Sequence, residues 1–195
     1  NLMFEEVEME IAPASVIIPP RIEVYEGMTL DELADKLNRN LGWDILSQID
    51  FELDDKLHRF TLLDCDDKFT YCNLVPAMFP FVIVEDENKK PALFGIDSGA
   101  EMSWLSNQYC EKCNLEVRKE TKMFHIGIHG IEKETIHLIK ECRLSFYKSR
   151  IHLENIRNGN TSVFENLELD GILGNEIFRN RRIQFLNSKG IVRIL

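Results

Sequence analysis

The stretch Phe94-Gly95-Ile96-Asp97-Ser98-Gly99-Ala100 runs an apolar segment into a carboxylate and then into Ser-Gly. A chain built this way holds Asp97 at a fixed, half-buried place on the end of a strand. A carboxylate there is costly unless it is hydrogen-bonded or protonated. Gly99 permits a sharp turn without a Cβ clash, and Ser98 brings a short hydroxyl able to bond back to that turn. Locally, two readings stand: a structural turn capped by its own aspartate, or a carboxylate put to chemical use.

The surrounding pattern is that of a chain made mainly of strands. Residues 81–84 and 92–96 are apolar runs around a turn at 86–90, and residues 122–129, 135–138, 143–147 and 190–195 have strand character. A short helix is expected over 104–113. Many short strands, two helices and several glycine turns predict a compact β-barrel or sandwich. Upstream the pattern differs. Residues 1–20 alternate acidic and apolar side chains and then reach Pro13, Pro19 and Pro20, which predicts an extended arm. Thr29 and Glu32 form a capping-box pattern for a helix with Leu30, Leu33, Ala34, Leu37 and Leu41 on one face and Gly42 at its end. Residues 58–64 and 69–75 read as two strands around a turn at 65–68. The expected organisation is an acidic arm over 1–20, a small α/β appendage over 21–75 and a β-rich domain over 76–195.

Composition narrows the function classes. The 195 residues are 44% hydrophobic, enough for one large domain or a domain with a small partner. The formal charge is -10, and it is uneven: 17 acids against 6 bases in residues 1–75, 16 against 17 in residues 76–195. A protein that tracks phosphates carries a basic footprint, so no nucleic-acid partner is expected. No apolar run approaches the roughly 18 residues of a membrane helix, and no secretory signal pattern opens the sequence. The first residue is Asn1, which makes a longer precursor the expectation. Five cysteines, an odd count, point to a reducing compartment and a cytoplasmic setting. Cys110 and Cys113 form a single CxxC; with no second pair at zinc spacing, they read as packing residues of one helix face and no metal is expected.

Downstream stands Leu169-Asp170-Gly171-Ile172-Leu173-Gly174, followed by Ile177-Phe178. Apolar-Asp-Ser-Gly-Ala, then a hairpin, then Asp-Gly-Ile-Leu-Gly and a short helix together resemble the retropepsin-like aspartic proteases. The resemblance covers residues 76–195. The run after the turn, Asp97-Ser98-Gly99-Ala100-Glu101-Met102-Ser103-Trp104-Leu105 and on to Cys113-Asn114-Leu115, is similar to the protease domain of the DNA-damage-inducible ubiquitin-shuttle proteins. Glu101 departs from the smaller or amide residues frequent after the motif, residues 151–168 are longer than a minimal retroviral enzyme needs, and residues 21–75 match no appendage of the family. The resemblance implies a retropepsin-like acid-protease β-barrel with short helices. It makes Asp97 the catalytic residue and Ser98, Gly99 and Ala100 the active-site turn. Ile172, Leu173 and Gly174 become the supporting motif packed beneath that turn. Gly127, Ile128, His129 and Gly130 fall at the flap tip that covers the substrate.

Aspartic proteolysis needs two carboxylates sharing one proton. This chain has one Asp-Ser-Gly, and Asp170-Gly171 belongs to the supporting motif, so the expected assembly is a homodimer with Asp97 from each copy. The expected activity is hydrolysis of peptide bonds in extended peptide or protein substrates, without a cofactor. The alternative is a catalytically silent dimerisation or peptide-binding module on the same fold. Residues 190–195 suit either an intermolecular sheet or a core strand.

Overall fold

The computed structural model describes residues 42–127, 130–159 and 162–195, and the side chains among them other than those of residues 121–135, 162, 163 and 165. The expected arm over 1–20 and the helix of the appendage lie outside the described residues. One compact unit holds Asn40–Phe124 with Lys133–Leu195.

In chain order the strands are β1 (Asp50–Asp54), β2 (Arg59–Leu62), β3 (Leu74–Val75), β4 (Phe81–Glu85), β5 (Pro91–Ile96), β6 (Trp104–Leu105), β7 (Val117–Gly127), β8 (Gly130–Phe146), β9 (Ser149–Asn158), β10 (Gly171–Leu173), β11 (Arg182–Leu186) and β12 (Ile191–Ile194). The helices are short: α1 (Trp43–Leu46), α2 (Asn107–Cys113) and α3 (Ser162–Leu167), with two 3-10 turns. The described residues are therefore mainly β with a few short helices, the expected class. Four strands form one sheet in the order β12-β11-β1-β2, and eight form another in the order β3-β4-β5-β10-β6-β9-β8-β7.

Local sequence explains the central strands. Along β4, buried Val82 and Val84 alternate with exposed Ile83 and Glu85, the period of a strand with one wet face. Strand β5 is flanked by β4 and β10, and its Phe94, Gly95 and Ile96 are all buried. Ser106 caps α2 by accepting the Tyr109 N–H at 3.1 Å, and Asn114 ends it in a left-handed conformation at φ 50°.

Several expected boundaries are corrected. Residue 75 does not separate an appendage from a β domain, because β1 pairs with β11 from Asp50↔Leu186 to Asp54↔Arg182. The cause is aromatic: Phe51, 2% exposed, stacks on Phe185 at 4.8 Å and on Phe60 at 5.1 Å, so neither end of the chain buries its rings alone. Strand β2 pairs with β1, not with residues 69–75, of which only Leu74–Val75 is strand. The helix expected over 104–113 starts at Asn107, since Trp104 and Leu105 are taken by β10 and β9 on either side. The segments 135–138 and 143–147 fall almost wholly within one long strand, β8, against which β9 lies antiparallel. Within the chain, β12 pairs with β11, and Ile191 and Val192 are fully buried.

Candidate active site

Strand β5 delivers Asp97 to the surface. Its last buried residues anchor it, and Asp97, Ser98 and Gly99 emerge exposed while Ala100 is half-buried. The turn is held from within. Gly99 donates its N–H to Asp97 Oδ1 at 2.9 Å, and Ala100 donates to the Asp97 carbonyl at 3.2 Å. One carboxylate oxygen is thereby tied down and the carboxyl group has a fixed direction.

The second motif holds the turn from outside. Strand β10 runs parallel to β5, with Gly171 opposite Phe94, Ile172 opposite Gly95 and Leu173 opposite Ile96. The next step of that ladder holds the turn: Asp97 donates its N–H to the Leu173 carbonyl at 2.9 Å, and Asn175 donates to the Ala100 carbonyl at 2.6 Å. The Ser103 hydroxyl accepts the Gly174 N–H at 3.0 Å, while Ser103, completely buried, donates its own N–H to Glu176 Oε1 at 2.5 Å. Both glycines of the motif are required by close approach. A Cβ on Gly174 would lie 2.5 Å from the Met102 carbonyl carbon, and one on Gly171 would lie 2.5 Å from the Trp104 oxygen. The structure thus brings Asp97, Ser98, Gly99, Ala100, Ile172, Leu173 and Gly174 into one assembly.

Asp170 has a different task. It exchanges backbone hydrogen bonding with Leu93, donating to its carbonyl at 2.8 Å, and its Oδ2 accepts the Leu93 N–H at 2.8 Å, with Lys112 3.9 Å away. Leu93 lies four residues before Asp97 on one extended strand, a separation of about 13 Å at the rise of a β-strand. Asp170 therefore ties β10 to β5 and is out of reach as a second acid.

Beside the turn lies an open cavity of about 320 Å³ between Ser98 and Asn175 on one side and Leu53, Asp55, Arg59 and Phe60 on the other. The β1–β2 hairpin closing this side comes from the segment that carried no chemical motif. It is fixed in place by Asp55, whose carboxylate accepts the Asn180 N–H at 2.7 Å and whose N–H reaches the Arg181 carbonyl. Its part in the site was invisible in sequence because it depends on the β1–β11 pairing. The one available signal was the apolar alternation Phe51, Leu53, broken up by acids.

Of the residues expected at the flap tip, Gly127 ends β7 and Gly130 begins β8, neighbouring strands of one sheet; Ile128 and His129 lie outside the described residues. Cys110 and Cys113 pack against the core from α2. Asn158 Nδ2 donates to Cys110 Sγ at 3.1 Å, Cys113 Sγ donates to Asp86 Oδ2 at 3.6 Å, and burial pushes the Cys110 and Cys142 thiols up to about 12. Buried thiols held protonated in this way are poor nucleophiles and poor metal ligands.

No family model matches the sequence, nor does any curated protein. Among solved structures, the chain is similar to the retroviral protease-like domain of Ddi1 from Leishmania major, at 16% identity over 65% of this chain and 96% of that one, with a TM-score of 0.39. It is similar to a retropepsin-like aspartic protease from Rickettsia conorii at 13% identity, over 64% of this chain and 91% of the other, with a TM-score of 0.35. Likeness at these values carries no functional weight.

Proposed function

We propose that this chain is an aspartic endopeptidase of retropepsin type, acting as a homodimer in which Asp97 of each copy supplies half of a dyad. The observation that supports it above all is the clamped turn. A buried strand leads to an exposed aspartate whose backbone N–H is bonded to Leu173 and whose carboxylate is oriented by Gly99. A structural turn aspartate spends its oxygens on its own surroundings, as Asp86 does by accepting the Asn88 and Lys90 N–H groups, both at 2.8 Å on one oxygen, with Cys113 on the other. Asp97 has its Gly99 bond and faces solvent.

In the dimer one carboxyl would carry the shared proton and the other would be ionised, since like charges a few Å apart do not both ionise. The ionised group takes a proton from a water as its oxygen attacks the scissile carbonyl carbon. The protonated group donates to the carbonyl oxygen. Collapse of the tetrahedral species breaks the C–N bond as the departing amine takes the proton that the first carboxylate removed from the water, and a hydroxyl of the species returns its proton to the other carboxylate as the carbonyl re-forms. An extended peptide would lie across the turn, held by main-chain hydrogen bonds.

The test is cleavage of a peptide library by the wild type and by Asp97→Asn, with products read by mass spectrometry. Wild-type cleavage should fall by orders of magnitude in the variant while fold and mass are unchanged. Equal cleavage by Asp97→Asn would remove Asp97 from the mechanism. A stable dimer that cleaves no peptide at any pH would establish the silent module in its place.

A further inference from the structure

Among the described residues, strand β12 pairs with β11 alone. Leu195 donates its N–H to the Arg182 carbonyl, and pairs in an antiparallel ladder alternate, so Val192 and Ile194 turn their backbone groups away from β11. Those outward groups are the ones a further strand would use. In this protomer side chains take three of them, the Val192 N–H and the Val192 and Ile194 carbonyls. Asn73, only 3% exposed, donates its Nδ2 to the Val192 carbonyl at 2.9 Å and accepts the Val192 N–H on Oδ1 at 2.8 Å. Its amide supplies the donor and acceptor that one residue of a neighbouring strand would supply. The Ser149 hydroxyl donates to the Ile194 carbonyl at 2.6 Å. Asn73 is itself held, because its own N–H and that of Leu74 both reach the Gly190 carbonyl at 3.0 Å.

We propose that Asn73 and Ser149 form a lock on the outer edge of β12, and that a second copy of this chain, adding its own C-terminal strand there, must displace the lock to complete the dimer. The inference rests on the homodimer reading of the site, and it makes assembly, and with it activity, subject to an internal contact. The edge of a sheet invites strand addition, and a side chain that occupies its hydrogen bonds suppresses it. Two hydrogen bonds of ordinary net strength set the scale: their removal should lower the dimer dissociation constant about tenfold or more.

The test compares wild type, Asn73→Ala and Ser149→Ala by light-scattering mass over a concentration series, with amide exchange at Val192. Both substitutions should move dimer formation to lower concentration, Asn73→Ala more. The Val192 amide of Asn73→Ala should exchange fast when dilute and regain protection as the dimer forms. Should Asn73→Ala fail to fold, Ser149→Ala, which loses one contact, still gives the reading. Equal mass curves for wild type and folded variants overturn the lock. If mass shifts but nothing is cleaved, the lock stands and the protease reading falls. If mass is unmoved yet cleavage rises with concentration, the protease stands and the lock falls.

Discussion

Gly174 has no room for a methyl group. The nearest atoms to an added Cβ, 2.5 and 2.7 Å away, are the Met102 carbonyl carbon and oxygen, and backbone cannot swing aside as a side chain can. The residue's φ is -87°, so the obstacle is contact and not backbone strain. Gly174→Val should therefore cost about 1–3 kcal/mol by overpacking, read as a shifted urea midpoint, and cleavage should suffer at least as much, because the displaced Met102 lies between the turn and Ser103. The thiols give a second prediction at this scale. Iodoacetamide at mildly alkaline pH should modify exposed Cys72 while sparing Cys110 and Cys142 until the protein unfolds, as intact-mass and peptide mapping would show. Equal labelling of all five would contradict their burial. Residues of this kind were legible in sequence to different depths. Asp97 and Leu173 announced themselves as motifs. Ser103 and Glu176, which hold Gly174 and Ser103 in turn, carry no pattern because their partners are about 70 residues away.

Strand β1 is the element that most changes the reading of the chain. Its five residues alternate apolar with acidic, Asp50-Phe51-Glu52-Leu53-Asp54, and the acids are bonded in place: Gln184 Nε2 donates to Glu52 Oε2 at 2.7 Å, and Ser188 donates both its N–H and its hydroxyl to Asp50. Phe51 on the other face fills the aromatic stack between Phe60 and Phe185. Phe51→Ala should lose about 3–5 kcal/mol by transfer and cavity terms, measured by denaturant titration. A chain starting at residue 76 should not give a cooperative unfolding transition, since β11 would present its Phe185 face and its inner edge to water. If that truncated chain does melt cooperatively, the four-stranded sheet is dispensable. The strands β4, β5 and β12 were visible beforehand because each is an apolar run with a turn signal beside it. Strands β1, β10 and β11 were not: acidic or polar residues interrupt the apolar ones in β1 and β11, and the three residues of β10 are fixed only by lying between β5 and β6. The apparent appendage arose from a shift in charge along the sequence, and charge is a property of surfaces that two ends of one sheet need not share.

At the scale of the whole molecule, the buried thiols set an alkaline limit. The Cys110 and Cys142 pKa values stand at about 12 in the native state, raised by burial from 9.0. The folded protein keeps protons that the unfolded chain releases, so their contribution is complete below about pH 9 and is lost as the pH rises towards 12. Tyr109, raised in the same way by burial, acts with the same sign. Urea midpoints measured from mildly to strongly alkaline pH should fall steadily, and Cys142→Ala should flatten that fall; a midpoint unchanged through this window would contradict the burial. Light scattering with activity assays adds the other global expectation, that specific activity climbs with protein concentration and levels off once dimers saturate.

The parallel pairing of β5 with β10 has a consequence for synthesis. Leu93 finds its partner Asp170 77 residues further along, and Glu52 finds Gln184 132 residues along. Contacts this distant in sequence cannot form until the later partner has been made, and a fold rich in them closes slowly. Asp97 leaves the ribosome as one more aspartate in an unsupported loop. It gains a direction only after residues 171–175 have followed it out, and the sheet beside it closes only with residues 182–194. Until those residues have emerged, a nascent chain carries Asp97 without a fixed direction, and the turn is shaped only when both motifs are present.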